Sequence, residues 1–173
     1  GLQSIDEDNL LTISNIVVSE PEDVTSENLV TDSDIEVKVS LNVLHGIIHL
    51  NGIEGLTFLE GTNDKEISMV FVGTITDVNA ALNDLTYDSN LDFHSTNVSE
   101  TMTIAVEDLT TTTTNTIDIT VNPVNDQVIL DVPSAQTVNE DEVLTINDIV
   151  ISEPKDVNGE SAVVAGDLDV KVT

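Results

Sequence analysis

The chain has 173 residues, of which 33 are acidic and four are basic, all lysine, for a formal charge of −29. A surface this negative repels nucleic acid and anionic lipid, which sets both aside as partners. Cysteine is absent, which excludes disulfides and thiolate metal sites, and no run approaches the ~18 apolar residues of a membrane-spanning helix.

Hydrophobic residues make up 39% of the chain and are interspersed with charge, so the sequence reads as folded rather than disordered. Short alternating or β-branched runs predict strands over residues 10–18 (LLTISNIVV), 35–41 (IEVKVSL), 46–50 (GIIHL) and 55–59 (GLTFL). Asn51-Gly52 is a two-residue hairpin signal, because both residues tolerate positive φ. A further strand is predicted over 66–73 (EISMVFVG). In residues 76–85, capping residues precede Val78, Ala81, Leu82 and Leu85 at helical spacing. One short helix, bridging two sheets and closing one end of the core, is expected there. Residues 101–106 (TMTIAV) and 116–121 (TIDITV) read as the last strands, with 110–115 (TTTTTN) as the tip and flank of their hairpin. About seven strands at this spacing predict an all-β, two-sheet sandwich. Phe58, Phe71, Phe93 and Tyr87 are its aromatic residues, so the core must be aliphatic.

The chain repeats itself. Residues 137–173 align without a gap to residues 4–40, Thr137 falling on Ser4 at an offset of 133, with 18 identities in 37 positions. That period is the size of a domain, not of a solenoid turn. The expected organisation is therefore one complete module over 1–124, followed by a linker and the opening of a second over 125–173, as in a tandem array. No signal peptide is visible, as expected of a chain that starts within a longer protein. Pro123 in the linker blocks continuation of a sheet ladder. The partial second module would expose its inner face unless another chain, further residues or strand exchange covered it.

Acidic residues gather between the strands, at Asp6-Glu7-Asp8, Glu20-Pro21-Glu22-Asp23, Glu107-Asp108, Asn125-Asp126, Asn139-Glu140-Asp141-Glu142 and Glu153-Pro154-Lys155-Asp156. Clustered carboxylates repel one another and call for a cation. Hard oxygen ligands without Cys or His favour Ca²⁺, which takes ~6–8 oxygens. The competing reading is a solvated acidic surface. One glycosylation sequon, Asn97-Val98-Ser99, has a high chance frequency.

Glu7-Asp8 ahead of a β run, the loop Ser19-Glu20-Pro21-Glu22, His45-Gly46-Ile47-Ile48-His49-Leu50 and Gly55-Leu56-Thr57-Phe58 follow one another in an order that resembles bacterial cadherin-like adhesin repeats. Residues 71–82 (FVGTITDVNAAL), Leu85-Thr86-Tyr87 and the closing 121–126 (VNPVND) continue the likeness, which spans nearly the whole chain. Such repeats build large secreted (RTX-type) surface proteins of Gram-negative bacteria and are similar to the chondroitin-sulfate-proteoglycan type of repeat. The resemblance implies a cadherin-like or immunoglobulin-like Greek-key sandwich with calcium held between consecutive domains. It assigns Glu7, Asn125 and Asp126, with Glu153 and Asp156 of the following repeat, to one inter-repeat site. Glu20, Glu22, Asp23 and Asp108 would form the equivalent site at the other end. Asp88 and Asp92 lie where cadherins have a further acidic loop. Glu-Pro-Glu-Asp stands here for the usual Asp-x-Asp, and Lys155 puts a cation in the second copy, so that junction is expected to hold fewer ions.

Enzyme chemistry finds no support in these residues. Paired carboxylates could serve a glycosidase, but the chain offers no aromatic platform for a sugar. His45 and His49 fall in strand and turn context rather than on one helical face, so they read as a turn contact and a surface strand position. No phosphate loop or nucleophile elbow is present. The expected function is a calcium-stabilised stalk module of an extracellular bacterial surface adhesin, whose partners are adjacent repeats of the same protein. The alternatives are a filament subunit completed by a neighbouring chain and a module binding a glycan or a copy of itself.

Overall fold

The computed structural model describes residues 2–19, 35–63 and 65–152. In chain order the elements are β1 (Gln3–Asp6), β2 (Leu10–Ile13), β3 (Glu36–Asn42), β4 (Gly46–His49), β5 (Thr57–Glu60), β6 (Ser68–Thr74), α1 (Ile75–Leu82), β7 (Leu85–Ser89), β8 (Glu100–Glu107), β9 (Thr112–Asn122), β10 (Ile129–Asp131) and β11 (Val150–Ser152). Six strands form a sheet in the order β1-β9-β8-β3-β6-β5, and three form a second in the order β2-β7-β4. All pairings are antiparallel except β1 with β9, which is parallel. Among the described residues the chain is mostly β with one short helix, in keeping with an all-β sandwich.

Alternation builds the core. Val37, Val39 and Leu41 of β3, Met69 and Phe71 of β6, and Met102 and Ile104 of β8 point inward from the larger sheet. Leu11, Ile13, Ile48, Leu85 and Tyr87 meet them from the smaller one. The helix lies between β6 of one sheet and β7 of the other, and buries Ile75, Val78, Ala81 and Leu82. Thr74 caps it: its hydroxyl accepts from the Asp77 amide at 3.2 Å and donates to the Asp77 carboxylate at 2.7 Å. Gly46 has no alternative, since a Cβ there would collide with the Tyr87 ring and the Asp88 carbonyl.

Two expectations change in the structure. The run 10–18 is a strand only as far as Ile13. Asn15 adopts φ 65, which breaks the extended path. The backbone of Val18 is then satisfied by the Asn79 side chain of α1, its amide donating at 2.7 Å and its carbonyl accepting at 2.8 Å. Asn51-Gly52 is not a hairpin turn either. β4 and β5 belong to different sheets, so the chain crosses between them, and the Asn51 amide donates to the Ala81 carbonyl at 3.0 Å. The bend falls later, at Gly55 (φ 74), where the Leu56 amide reaches the Ile53 carbonyl at 3.2 Å.

One buried acid has a purely architectural role. Glu100 accepts from the amides of Leu44 (3.0 Å), His45 (2.7 Å) and Thr101 (3.1 Å), and its carboxylate meets His45 Nδ1 at 3.0 Å. The His45 ring stacks on Phe93, with centroids 4.5 Å apart, and the Tyr87 hydroxyl donates to the His45 carbonyl at 3.1 Å. Burial, aided by the charges of Glu100 and Asp88, pushes the Tyr87 phenol well above its ordinary range, so it stays a donor. This clasp fixes the β3–β4 turn. Glu100→Ala strands two turn amides and is expected to cost about 2–4 kcal/mol in urea denaturation. Glu107→Ala removes only the exposed Lys38 pair and should cost less than about 1 kcal/mol; equal losses would contradict the clasp.

Candidate metal site

Three loops converge at the end of the sandwich where β9 finishes. The first is the turn between β1 and β2. Parallel pairing of β1 with β9 sets Asp6 beside Asn122, and the Asn122 amide side chain donates to Asp6 Oδ1 at 3.1 Å and to Ser4 Oγ at 3.2 Å. The Glu7 amide then donates to the Asn122 carbonyl at 2.9 Å. Glu7 turns inward, only 2% exposed, and its carboxylate accepts the Val124 amide just past Pro123. The strand exit is thereby tied to the opening turn, and the next residue, Asp8, takes φ 60 and faces outward.

The second loop lies between β7 and β8. Ser95 holds it to the end of β9: its amide donates to the Val121 carbonyl at 2.9 Å, and its hydroxyl accepts the Val121 amide at 2.9 Å. Phe93 and His94 are buried beside it, while Asp92, at φ 55, stays half-buried at the loop's edge. The third loop is the exit itself, where the Asn125 side chain donates to the Asp126 carbonyl at 2.7 Å.

Together these loops bring a carboxylate oxygen from each of Asp8, Asp92 and Asp126 within 4.8 Å of one another. Each pair of charges at that separation costs about 1 kcal/mol in water and about 3 kcal/mol at an effective dielectric of ~20. The Oδ2 atom of Asp126 is shielded from solvent and accepts no hydrogen bond. A cation would relieve both costs, and an all-oxygen set without His or Cys suits a hard ion. Lys38 lies too far along the sheet to do so: it pairs with Glu107, at the opposite end of the β8–β9 hairpin.

Of the residues singled out in the sequence, Glu7, Asn125 and Asp126 meet at this end. Glu7 spends one oxygen on the Val124 amide. Asp108 sits at the opposite end, on the tip of the β8–β9 hairpin. Its Oδ1 accepts the Thr110 and Thr111 amides at 2.6 and 2.7 Å and the Thr110 hydroxyl at 2.9 Å, and its Oδ2 accepts the Thr111 hydroxyl at 3.0 Å. That geometry is a turn-forming role. Glu20, Glu22, Asp23, Glu153 and Asp156 lie outside the described residues. Asp8 falls in an acidic cluster of the sequence and Asp92 in the further acidic loop that the resemblance implies, though the resemblance assigns neither to a site. Asp8 neighbours Glu7 in the same acidic cluster, whereas Asp92 is brought to the site by a loop that Ser95 ties to Val121.

The sequence matches no protein-family model, no curated protein and no solved structure.

Four hydrogen bonds from Thr110 and Thr111 lower the Asp108 carboxyl from 3.8 to about 2. A depressed value means that the turn gains stability from the carboxylate above its unfolded pKa and loses it as pH falls through the folded one. The Thr110 and Thr111 amide resonances are therefore expected to titrate with a midpoint near 2; a midpoint near 4 would show a carboxylate free of the turn.

Proposed function

We propose that this chain is a structural stalk module of a repetitive extracellular bacterial adhesin, of the cadherin-like Greek-key kind, stiffened by Ca²⁺ where one module passes to the next. The observation that carries this reading is the convergence of Asp8, Asp92 and Asp126 at the exit of the sandwich. Asp126 belongs to the linker itself, so an ion shared with Asp8 and Asp92 ties the linker to the module body. Glu7 supports the same junction without needing to be a ligand, because it orders Val124 and shapes the turn that presents Asp8. Asn125 holds the Asp126 backbone.

The sequence repeat begins about ten residues beyond this point, so what the ion would restrain is the angle between consecutive modules. A stiffer joint keeps an array extended and projects a distal domain away from the cell. The acid-rich surface, once neutralised by outside calcium, is also spared self-repulsion. No other chemistry is asked of these residues.

Extracellular calcium modules bind with Kd of ~10⁻⁴–10⁻³ M. At about 10 mM Ca²⁺ such a site stabilises the fold by about 1.4–2.7 kcal/mol. Asp92→Asn gives a sign reversal. In chelator the variant loses repulsion and is expected to be as stable as the wild type or more so, by about 1 kcal/mol. In calcium it is expected to be less stable, because the ion loses a charged ligand. Thermal denaturation in chelator and in calcium reads both. A stability order that is the same under the two conditions would remove calcium from the account.

A further inference from the structure

Asn51-Gly52 is not the hairpin turn that its sequence suggests, so the pair sits in the fold without that protection. It lies in the irregular crossover from β4 to β5, and both residues are exposed. The backbone on either side is held. The Leu50 amide donates to Asn63 Oδ1 at 2.6 Å, and its carbonyl accepts from Asn63 Nδ2 at 3.3 Å. The Asn51 amide is fixed on the Ala81 carbonyl of α1 at 3.0 Å, and the Ile53 carbonyl accepts the Leu56 amide at 3.2 Å. Between these anchors, the Gly52 amide and the Asn51 side chain make no hydrogen bond to the described residues.

That combination has a chemical consequence. The Cγ of an asparagine is open to attack by the amide nitrogen of the next residue, unless a side chain on that residue blocks the approach. Glycine has none, and at Gly52 even a Cβ would meet nothing within 4 Å. Among the described asparagines, Asn51 alone precedes a glycine. Asn79 and Asn63 show the opposite condition, because their side-chain amides are engaged with both backbone groups of Val18 and Leu50.

We propose that Asn51 is a site of spontaneous deamidation, a modification whose only co-reactant is water. The Gly52 nitrogen gives up its proton and attacks Asn51 Cγ. The new N–Cγ bond forms as the Cγ–Nδ2 bond breaks, and the amide leaves as ammonia with the proton that Gly52 lost. Water then opens the resulting cyclic imide. Cleavage of the N–Cγ bond gives aspartate. Cleavage between the nitrogen and the main-chain carbonyl carbon gives isoaspartate, which lengthens the backbone of the crossover by one methylene. Either product adds a negative charge to a chain that carries −29. Local opening of an exposed loop without ladder bonds costs little, so the fold does not shield Asn51 from this reaction.

The full-length chain, incubated folded at mildly alkaline pH and mapped by mass spectrometry, tests this against a free peptide of residues 48–55. The mapping separates Asn51 from Asn158-Gly159, the other such pair in the sequence. Asn51 in the folded chain is expected to convert within about tenfold of the peptide's rate, the limit for an opening cost of about 1.4 kcal/mol. Gly52 does not take positive φ, so Gly52→Ala is expected to keep Tm within about 2 °C. The added methyl is expected to slow conversion by about tenfold or more. An Asn51 that stays intact, or that converts more than about tenfold slower than the peptide, would overturn the proposal. So would equal rates at Asn51 and Asn79, or in the wild type and Gly52→Ala. Should Gly52→Ala melt earlier than expected, the wild-type chain against its peptide decides.

Discussion

Three carboxylates brought to one end of the sandwich are the constraint on which the proposed function turns. Asp8 is presented by a turn anchored through Glu7 to the Asn122 carbonyl and the Val124 amide. Asp92 is fixed by a loop that Ser95 ties to Val121, and Asp126 by the strand exit itself. The anchors at Glu7 and Ser95 satisfy backbone groups at the end of β9, and so fix where the backbones of the Asp8 turn and the Asp92 loop lie. A cation held among the three carboxylates would relieve their mutual repulsion. The chain, with four lysines to 33 acids, supplies few of its own.

The rest of the sandwich can be seen as what holds that end in place. Parallel pairing of β1 with β9 brings the opening turn to the strand exit, and β2 then crosses to the smaller sheet, so both sheets are tied to one loop cluster. Glu100 makes a useful contrast. It is also a buried carboxylate, but backbone amides and His45 take up its oxygens, so it consolidates a turn and needs no ion. Asp108 likewise spends both oxygens on its own hairpin. Asp126 differs from Asp108 in keeping a buried oxygen that accepts no hydrogen bond, although both sit in acidic clusters.

Much of the architecture was legible in the sequence because alternation is a local signal. β3, β6 and β8 carry three or more inward positions at a period of two, and α1 carries its cap and its spacing within one short window. β1 was not legible: Gln3–Asp6 has a single apolar residue, Ile5, and becomes a strand through a parallel partner more than a hundred residues away. β7 was hidden by Leu85, which continues the helical spacing. The helix stops because Asp84 takes φ 59, and Leu85 opens a strand instead. The site divided in the same way. Glu7 and Asp126 stand out as acids beside punctuation such as Pro123, whereas Asp92 joins them only through loop tertiary contacts.

A crystal structure grown in millimolar calcium tests the central claim most directly. The account expects one ion between Asp8, Asp92 and Asp126, with carboxylate oxygens at ~2.3–2.6 Å. Three side chains turned apart into solvent, with water between them, would contradict it.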